Sequence, residues 1–374
     1  MPSWLKEGRG SLCGANVSLL LREMGITKPL LVAGERTKNV FFARTGMRLP
    51  VFDAFHPNPD LQDCVAGAAL YQEKGCDGLI SIGGGSAMDT AKGIKALLMT
   101  DIVHVRANQL PSEGNVPHLA IPGTAGTGAE TTAVAVLYEN GQKLSVDHPA
   151  LLPDGVLLDG SLLDTLPEYH RKSCAMDALA QGIESWWAKK ATPDSRIHAE
   201  RAIRGVLDNL TAYLQGDRKA QDEMLHAAYE SGVAILTTRT TAAHAMSYQI
   251  TKKLGAAHGH ACMLTLPHLW AHLAAQAEYQ PMLTELSRLL GGEKPMDGAI
   301  LLKGLLAVLE LDKIPMPDDA TLDMLAASVN PERLGNHPEA LTTAQLRAIY
   351  VQAFTPMTDT ERAEAIAAWE QYGK

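Results

Sequence analysis

Asp77-Gly78-Leu79-Ile80-Ser81-Ile82-Gly83-Gly84-Gly85-Ser86-Ala87-Met88-Asp89-Thr90-Ala91-Lys92-Gly93-Ile94-Lys95 joins a short apolar run to three glycines and then to a helical pattern. A buried strand that runs into a glycine loop and a helix is the repeating unit of parallel α/β structure. Glycines let a backbone approach a pyrophosphate closely, and the unpaired N–H groups of a helix start at Ser86 favour an anion. A tight glycine turn that binds nothing satisfies the same pattern, because the run is not G-x-G-x-x-G.

The flanking sequence repeats the alternation. Pro29 to Gly34 and Val51 to Phe55 read as strands, and Leu61, Val65, Ala68, Ala69 and Tyr71 mark a helix between about residues 60 and 74. Downstream, His118 to Pro122 reads as a strand that feeds Gly123-Thr124-Ala125-Gly126-Thr127-Gly128-Ala129-Glu130-Thr131-Thr132. That second loop of small and hydroxyl residues strengthens the cofactor reading, with Thr124 and Thr127 able to hold phosphate oxygens. Thr131 to Tyr138, Lys143 to Asp147 and Gly155 to Asp159 read as further strands.

Beyond Leu166-Pro167-Glu168 the pattern turns helical, as in Met176 to Lys190, His198 to Tyr213, Gln221 to Leu236, Leu269 to Leu290 and Met296 to Leu309. A polar, proline-containing loop is expected over residues 330–340, before a last helix from about Thr343. The fold class expected is therefore an α/β N-terminal dinucleotide-binding domain over residues 1–165, followed by an all-α C-terminal domain over residues 166–374.

Composition restricts the functions available. With 374 residues the chain exceeds one ordinary core. No run of about 18 apolar residues occurs, so no membrane span is expected, and the N-terminus lacks the apolar core of a signal peptide. A net charge of −9 without a basic block argues against nucleic-acid or anionic-membrane partners. Five cysteines without a C-x-x-C pair read as reduced thiols, which fits a cytoplasmic location.

In the helical half, Asp177 and Gln181 stand four apart and share one helix face. His244 and His258 lie fourteen apart in separate segments. One carboxylate, one amide and two imidazoles form a plausible ligand set for a divalent first-row metal. With 13 histidines in the chain, ordinary hydrogen-bonded helix or loop histidines satisfy the spacing as well.

Four motifs in this order resemble the iron-containing, or group III, alcohol dehydrogenase family over nearly the whole chain. They are Gly83 to Lys92, Ile121 to Glu130, Asp177-Ala178-Leu179, and His244 with His258 fourteen residues later. The resemblance implies a dehydroquinate synthase-like fold with metal and substrate between the two domains, and a homodimer. It implies Asp177, His244 and His258 as metal ligands, with iron(II) expected first and zinc or another divalent ion as the alternative. It also implies NADPH or NADH as cofactor, meeting Gly84, Gly85, Ser86 and Asp89, with Thr124, Thr127, Thr132 and Lys143 along the rest of its cleft.

Three positions depart from the family pattern. Gln181 stands where a histidine is usual, so the metal set becomes Asp177, Gln181, His244 and His258. Tyr248 stands where another histidine is common and becomes a candidate proton donor. Gly34, followed by Glu35-Arg36, ends the first strand where members preferring NAD carry an aspartate, which tolerates a 2′-phosphate. These departures, with Trp186-Trp187 and the Asn330 to Pro338 loop, are similar to the phosphonoacetaldehyde reductase branch. The reaction implied is reduction of a small anionic aldehyde, phosphonoacetaldehyde, to 2-hydroxyethylphosphonate. Tyr248 and His260 are the expected catalytic groups, and Arg239 and Lys252, with His260, the expected receivers of the anion. A general short-chain alcohol or aldehyde dehydrogenase, a sulfoacetaldehyde-type reductase, a dehydroquinate-synthase-like lyase and a non-catalytic nucleotide-binding protein are the alternatives.

Overall fold

A computed structural model describes residues 6–112 and 116–372 of the chain. They fold into two compact units, Met1–Leu166 and Pro167–Lys374. The first is α/β. Its strands in a single six-stranded sheet are β1 (Lys6–Arg9), β2 (Pro29–Ala33), β3 (Val51–Phe52), β4 (Gly78–Gly83), β5 (His118–Pro122) and β8 (Gly155–Leu158). All neighbours pair in parallel, in the order β1-β8-β5-β4-β2-β3. Helices α1 (Gly14–Glu23), α2 (Glu35–Thr45), α3 (Leu61–Lys74), α4 (Gly85–Met99) and α5 (Ile102–Arg106) lie between them in the chain.

The central strands β2, β4 and β5 are buried along their whole length, as expected of a sheet covered on both faces. Their alternate residues enter two cores: Leu30, Val32 and Leu79 pack with Leu61 and Ile94, while Leu31, Ile80, Ile82 and Ile121 pack with Val17 and Phe41.

The strands expected over residues 131–138 and 143–147 form but do not join the parallel sheet, whereas the one expected at Gly155 does. β6 (Val134–Glu139) and β7 (Gln142–Asp147) form a separate antiparallel hairpin, turned by Asn140 and Gly141 at positive φ. Strand β1 pairs at the sheet edge although its sequence, Lys-Glu-Gly-Arg, carries no strand pattern.

From β2 the chain passes outward to β3, then crosses to the other side of β2 to make β4 and moves on to β5. The strand order therefore reverses between β2 and β4, and ligands of open α/β sheets bind beyond the carboxyl ends of strands at such a point. The turns there are Gly34, which caps α2, and Gly83-Gly84, which lead into α4. Gly83 has φ of +147°, and a Cβ there would stand 3.1 Å from the Ala87 Cβ. The β5 turn packs directly on the β4 turn: Gly123 N donates to Gly83 O at 2.7 Å, and a Cβ on Gly123 would lie 3.2 Å from Gly83 Cα. Both loops need glycine because two backbones meet there.

The second unit is helical. Its first five α-helices are α6 (Glu168–Trp187), α7 (Pro193–Leu214), α8 (Arg218–Thr238), α9 (Ala242–Gln249) and α10 (His258–Ala274). A π-helical turn, Ile250–Leu254, joins α9 to the segment before α10. The pattern read as one helix over residues 269–290 is broken: α10 ends at Ala274, and a separate helix spans Gln280–Leu289. Within the loop expected at residues 330–340, Pro331–Leu334 make one helical turn capped by Asn330. No helix of the described residues is long and apolar enough to cross a membrane.

Buried Lys92 on α4 ties the second glycine loop to the first. Its ammonium donates to Ala129 O at 2.7 Å, Val134 O at 3.0 Å and Thr132 Oγ1 at 3.1 Å. Replacing it by Met keeps the volume but leaves two buried carbonyls without that donor, at about 1–3 kcal/mol each. Denaturant unfolding of Lys92→Met is expected to show about 2–4 kcal/mol of lost stability; a change below about 0.5 kcal/mol would show that the ammonium does not hold the loops together.

Candidate active site

In the helical unit, α6 carries Asp177, Gln181 and Glu184 at successive turns of one face, all buried. Glu184 meets the start of α9, whose N-cap residue Thr241 makes no capping bond of its own. Glu184 Oε1 accepts from Thr241 N at 3.1 Å, Thr241 Oγ1 at 2.6 Å, Ala243 N at 2.9 Å and His244 N at 3.4 Å. These are the N–H groups a helix start leaves unpaired, answered by a carboxylate from another helix. Its second oxygen, Oε2, bonds His244 Nδ1. Burial pushes the Glu184 carboxyl up, but His244 and Thr241 outweigh it and hold the group below its ordinary value.

With Nδ1–H directed to Glu184, the other ring nitrogen of His244 faces Asp177, Nε2 to Oδ1 at 3.2 Å. His258, at the start of α10, is set in the same way. Ser247 Oγ donates to His244 O at 2.8 Å and lies 3.3 Å from His258 Nδ1, so its free lone pair receives Nδ1–H. His258 Nε2 is then left facing Asp177 Oδ1 at 3.9 Å. A hydrogen bond on one imidazole nitrogen fixes the other as the donor atom to a cation, which is how metal-binding histidines are oriented.

The approach of α10 to α6 depends on Gly259. A Cβ there would fall 2.0 Å from Ser173 O and 2.7 Å from the Asp177 N and Cβ atoms. Only a glycine brings His258 against Asp177. One turn further along α10, fully buried Cys262 has Sγ 3.9 Å from His258 Nε2. The ligand atoms of Asp177, His244, His258 and Cys262 all lie within 4.8 Å of one another. Burial pushes the Asp177 carboxyl up, yet His258 and His244 hold it low. Burial also acts to raise the Cys262 thiol, but the two histidines bring it down to about 7. An inward-facing carboxylate, two oriented imidazoles and a thiol suit a divalent transition metal.

Gln181 is buried nearby, and its Oε1 accepts from Ser231 Oγ at 2.7 Å. Tyr248 stacks on His258, with ring centroids 6.1 Å apart and planes 2° from parallel. His260 is turned to a different task. Its Nε2–H donates to Leu311 O at 2.8 Å and its Nδ1 receives the Tyr169 hydroxyl at 3.1 Å, so neither nitrogen is left for a substrate. Burial lowers its pKa, in keeping with a neutral ring that anchors α10. Trp187 is core: its Nε1 donates to Thr241 Oγ1 at 3.0 Å and its ring packs edge-on against Trp270. Lys252 is exposed on the π-helical turn between Tyr248 and His258.

Arg239 follows α8 with φ of +61° and ψ of 175°, a region occupied almost solely by glycine. Asn336 holds that turn in place, its amide donating to Thr238 O at 2.7 Å and Thr240 O at 3.1 Å. The guanidinium Nη1 donates to Leu236 O at 2.9 Å.

In the first unit, Gly34, Gly84, Thr124 and Thr127 lie on the turns at the carboxyl ends of β2, β4 and β5, and Gly85 and Ser86 begin α4. A Cβ on Gly84 would meet Thr124 at 3.2 Å and one on Gly85 would meet Thr127 at 3.5 Å, so the two loops form one surface. Nothing lies within 4 Å of a Cβ built on Gly34, which leaves room beside the strand end. Arg36 is bonded to Thr165 Oγ1, and Lys38 bridges Glu35 at 2.5 Å and Asp53 at 2.7 Å. Asp89, on the first turns of α4, is half-buried, and burial raises its carboxyl to about 6 against the pull of Lys92. Thr132 is bonded to Lys92, and Lys143 lies on β7, the second strand of the hairpin.

Glu184, Ser247, Cys262 and Lys92 escaped the reading of the sequence. Spacing carried a signal for two of them: Glu184 is seven after Asp177 and Cys262 four after His258, each on the face of a residue already singled out. Ser247 and Lys92 act through contacts that no spacing reveals.

Comparison with known proteins accounts for both units. Residues 3–160 match the family described as iron-containing alcohol dehydrogenase, and residues 172–354 match the Fe-containing alcohol dehydrogenase family, C-terminal. An NAD-dependent methanol dehydrogenase from Bacillus methanolicus is 30% identical over 299 residues, covering 75% of this chain and 77% of that protein. The chain belongs to the iron-containing alcohol dehydrogenase family. A phosphonoacetaldehyde reductase from Streptomyces viridochromogenes is 35% identical over 228 residues, 57% of this chain and 58% of that protein, so the alignment spans less than two thirds of its length. A sulfoacetaldehyde reductase from Bifidobacterium kashiwanohense, solved in complex with NAD+, has the same fold with a TM-score of 0.84 at 25% identity, covering 95% of this chain and 97% of that one. The family resemblance drawn from the motifs is thereby established.

Glu184→Gln replaces the acceptor of His244 Nδ1–H with a group able to present an amide N–H instead. Second partners of this kind contribute about 10–100-fold to metal affinity. Competition with a chelator is expected to show that loss in the Glu184→Gln protein, and unchanged affinity would refute the orienting role.

Proposed function

We propose that this chain is a metal-dependent, NAD(P)H-linked reductase of a small anionic aldehyde, with phosphonoacetaldehyde reduced to 2-hydroxyethylphosphonate as the leading reaction. The observation that carries the reading is the buried group of Asp177, His244, His258 and Cys262, in which both imidazoles turn Nε2 inward because Glu184 and Ser247 engage Nδ1. This group fits the divalent metal that the family name implies. Asp177, His244 and His258 form the core of the ligand set, and Gln181 and Cys262 each offer a fourth donor.

A divalent ion there supplies Lewis acidity to a carbonyl oxygen, and a reduced nicotinamide supplies hydride. The glycine loops and Thr124 and Thr127 receive the pyrophosphate, with Ser86 at the start of α4 and Asp89, Thr132 and Lys143 around it. The open space at Gly34, where no carboxylate stands, accommodates NADPH as well as NADH. Tyr248, whose ring stacks on His258, is proposed as the proton donor to the product alkoxide. His260 is left out of that role because its two nitrogens serve Leu311 and Tyr169.

A phosphonate resembles a phosphate monoester and carries between about one and a half and two negative charges near neutral pH. Arg239 is proposed as its main receiver, with exposed Lys252 as a second. The support for Arg239 is its backbone: a position that favours glycine is occupied by arginine and held by Asn336, at a cost of about 1–3 kcal/mol. Such strain is retained where a side chain has a function. The likeness to a sulfoacetaldehyde reductase favours a second reading with the same chemistry, a two-carbon aldehyde bearing a sulfonate.

Purified protein with NADPH or NADH is expected to oxidise the cofactor when phosphonoacetaldehyde is added, with sulfoacetaldehyde and simple alkanals assayed in parallel. Turnover of alkanals alone would sink the anionic-substrate assignment. No cofactor oxidation with any aldehyde would sink the reductase assignment. Asp177→Ala and His258→Ala are expected to lose bound metal and activity together. Arg239→Gly is expected to unfold no more readily than the parent, while KM for the anionic aldehyde rises at least about tenfold, roughly the value of one charge-assisted contact, and KM for a neutral alkanal stays near its original value. Equal changes for both substrates would refute the anion-binding role.

A further inference from the structure

We infer that Cys262 is a protein ligand of the metal centre, its sulfur taking the fourth place beside Asp177, His244 and His258, with Gln181 outside the ligand set. The inference rests on the metal reading above and adds a donor atom to it.

Three observations carry it. Cys262 is fully buried one turn beyond His258 on α10, so the two side chains project from one face. A tetrahedral ion with bonds of ~2.0–2.3 Å keeps its donors ~3.3–3.8 Å apart. The separations here are 3.2 Å for His244 Nε2 to Asp177 Oδ1, 3.9 Å for His258 Nε2 to Asp177 Oδ1, and 3.9 Å for His258 Nε2 to Cys262 Sγ. The remaining pairs of donor atoms lie within 4.8 Å of one another, so movements of up to about 1 Å close all four on one ion. Gln181 Oε1, in contrast, accepts a hydrogen bond from Ser231.

The surroundings of Cys262 also set it apart from the chain's other fully buried cysteine. Cys64 packs in the first unit's apolar core with Leu61 and Ile94, as a small hydrophobic side chain does. Cys262 instead faces two imidazoles and a carboxylate. On binding, the thiol proton leaves to solvent and the sulfur bonds as thiolate. One carboxylate and one thiolate then balance a divalent ion, giving a neutral centre, and the soft sulfur shifts preference toward zinc.

Two spectroscopic measurements on the full chain test this. X-ray absorption of the zinc-loaded protein is expected to show one sulfur neighbour at about 2.3 Å, and a shell of nitrogen and oxygen alone overturns the inference. The cobalt(II)-loaded protein is expected to show an intense thiolate-to-metal absorption in the near ultraviolet. Cys262→Ser should lose that band and bind cobalt at least about tenfold more weakly, since even outer partners of a ligand contribute that much. Cys174→Ser and Gln181→Ala should retain the band. A band that persists in Cys262→Ser overturns the inference, and if that variant does not fold the zinc-loaded parent decides alone. Aldehyde reduction measured on the same preparations separates the two readings. A sulfur-free centre with reduction intact removes Cys262 and leaves the proposed function. A sulfur-bearing centre that reduces no aldehyde supports Cys262 and removes the function.

Discussion

The Glu184 carboxylate is the interaction on which the candidate site depends. It is fully buried, and one of its oxygens gathers the N–H groups at the start of α9 while the other holds the His244 ring. A buried carboxylate is costly without partners, and here four donors converge on Oε1 and a fifth on Oε2. The same bonds fix where α9 begins, which ring nitrogen of His244 carries the proton and which way the other points. Trp187, three residues on in α6, completes the arrangement by bonding the Thr241 hydroxyl and packing on Trp270.

Around that clamp the structure admits little substitution. Gly259 lets α10 pass within backbone distance of Asp177, and His260 beside it fastens the helix to Tyr169, Ser173 and Leu311. Glycine and histidine here do mechanical work that sets the position of their neighbour His258. Ser247 links His244 and His258 through the His244 carbonyl and the His258 ring, so the two imidazoles are oriented as a pair.

The first unit obeys a different constraint, the meeting of two backbones. The β4 and β5 turns touch through Gly83 and Gly123, and Lys92 bonds across to the second loop with all three of its ammonium hydrogens. Burial lowers Lys92 to about 8 against the pull of Asp89 and Glu130, and raises Glu130 to about 7, so each charge is costly where it stands. The reversal of strand order between β2 and β4 places the glycine turns together at the end of the sheet where anions bind.

Much of this was legible in the sequence because it is local or periodic. Buried parallel strands read as continuous apolar runs, glycine clusters marked the turns, and the order of four motifs established the family. Asp177 and Gln181 were visible as neighbours through helical spacing. Val134 to Asp147 read as strands, but their pairing in a separate hairpin did not show, because a strand's sequence does not say which sheet it joins. His260 was expected as a catalytic and anion-receiving group, yet tertiary contacts occupy both its nitrogens. Glu184 and Cys262 lay on the right faces but acquire meaning only when α9 and α10 converge on α6, which lies more than fifty residues earlier in the chain. The sequence by itself determined the α/β and helical halves, the family and which residues were available as ligands, since those follow from pattern and residue type. Only the tertiary structure decided which of them share a site and which nitrogen each histidine offers, since those depend on long-range packing and on the hydrogen-bond partner that folding supplies.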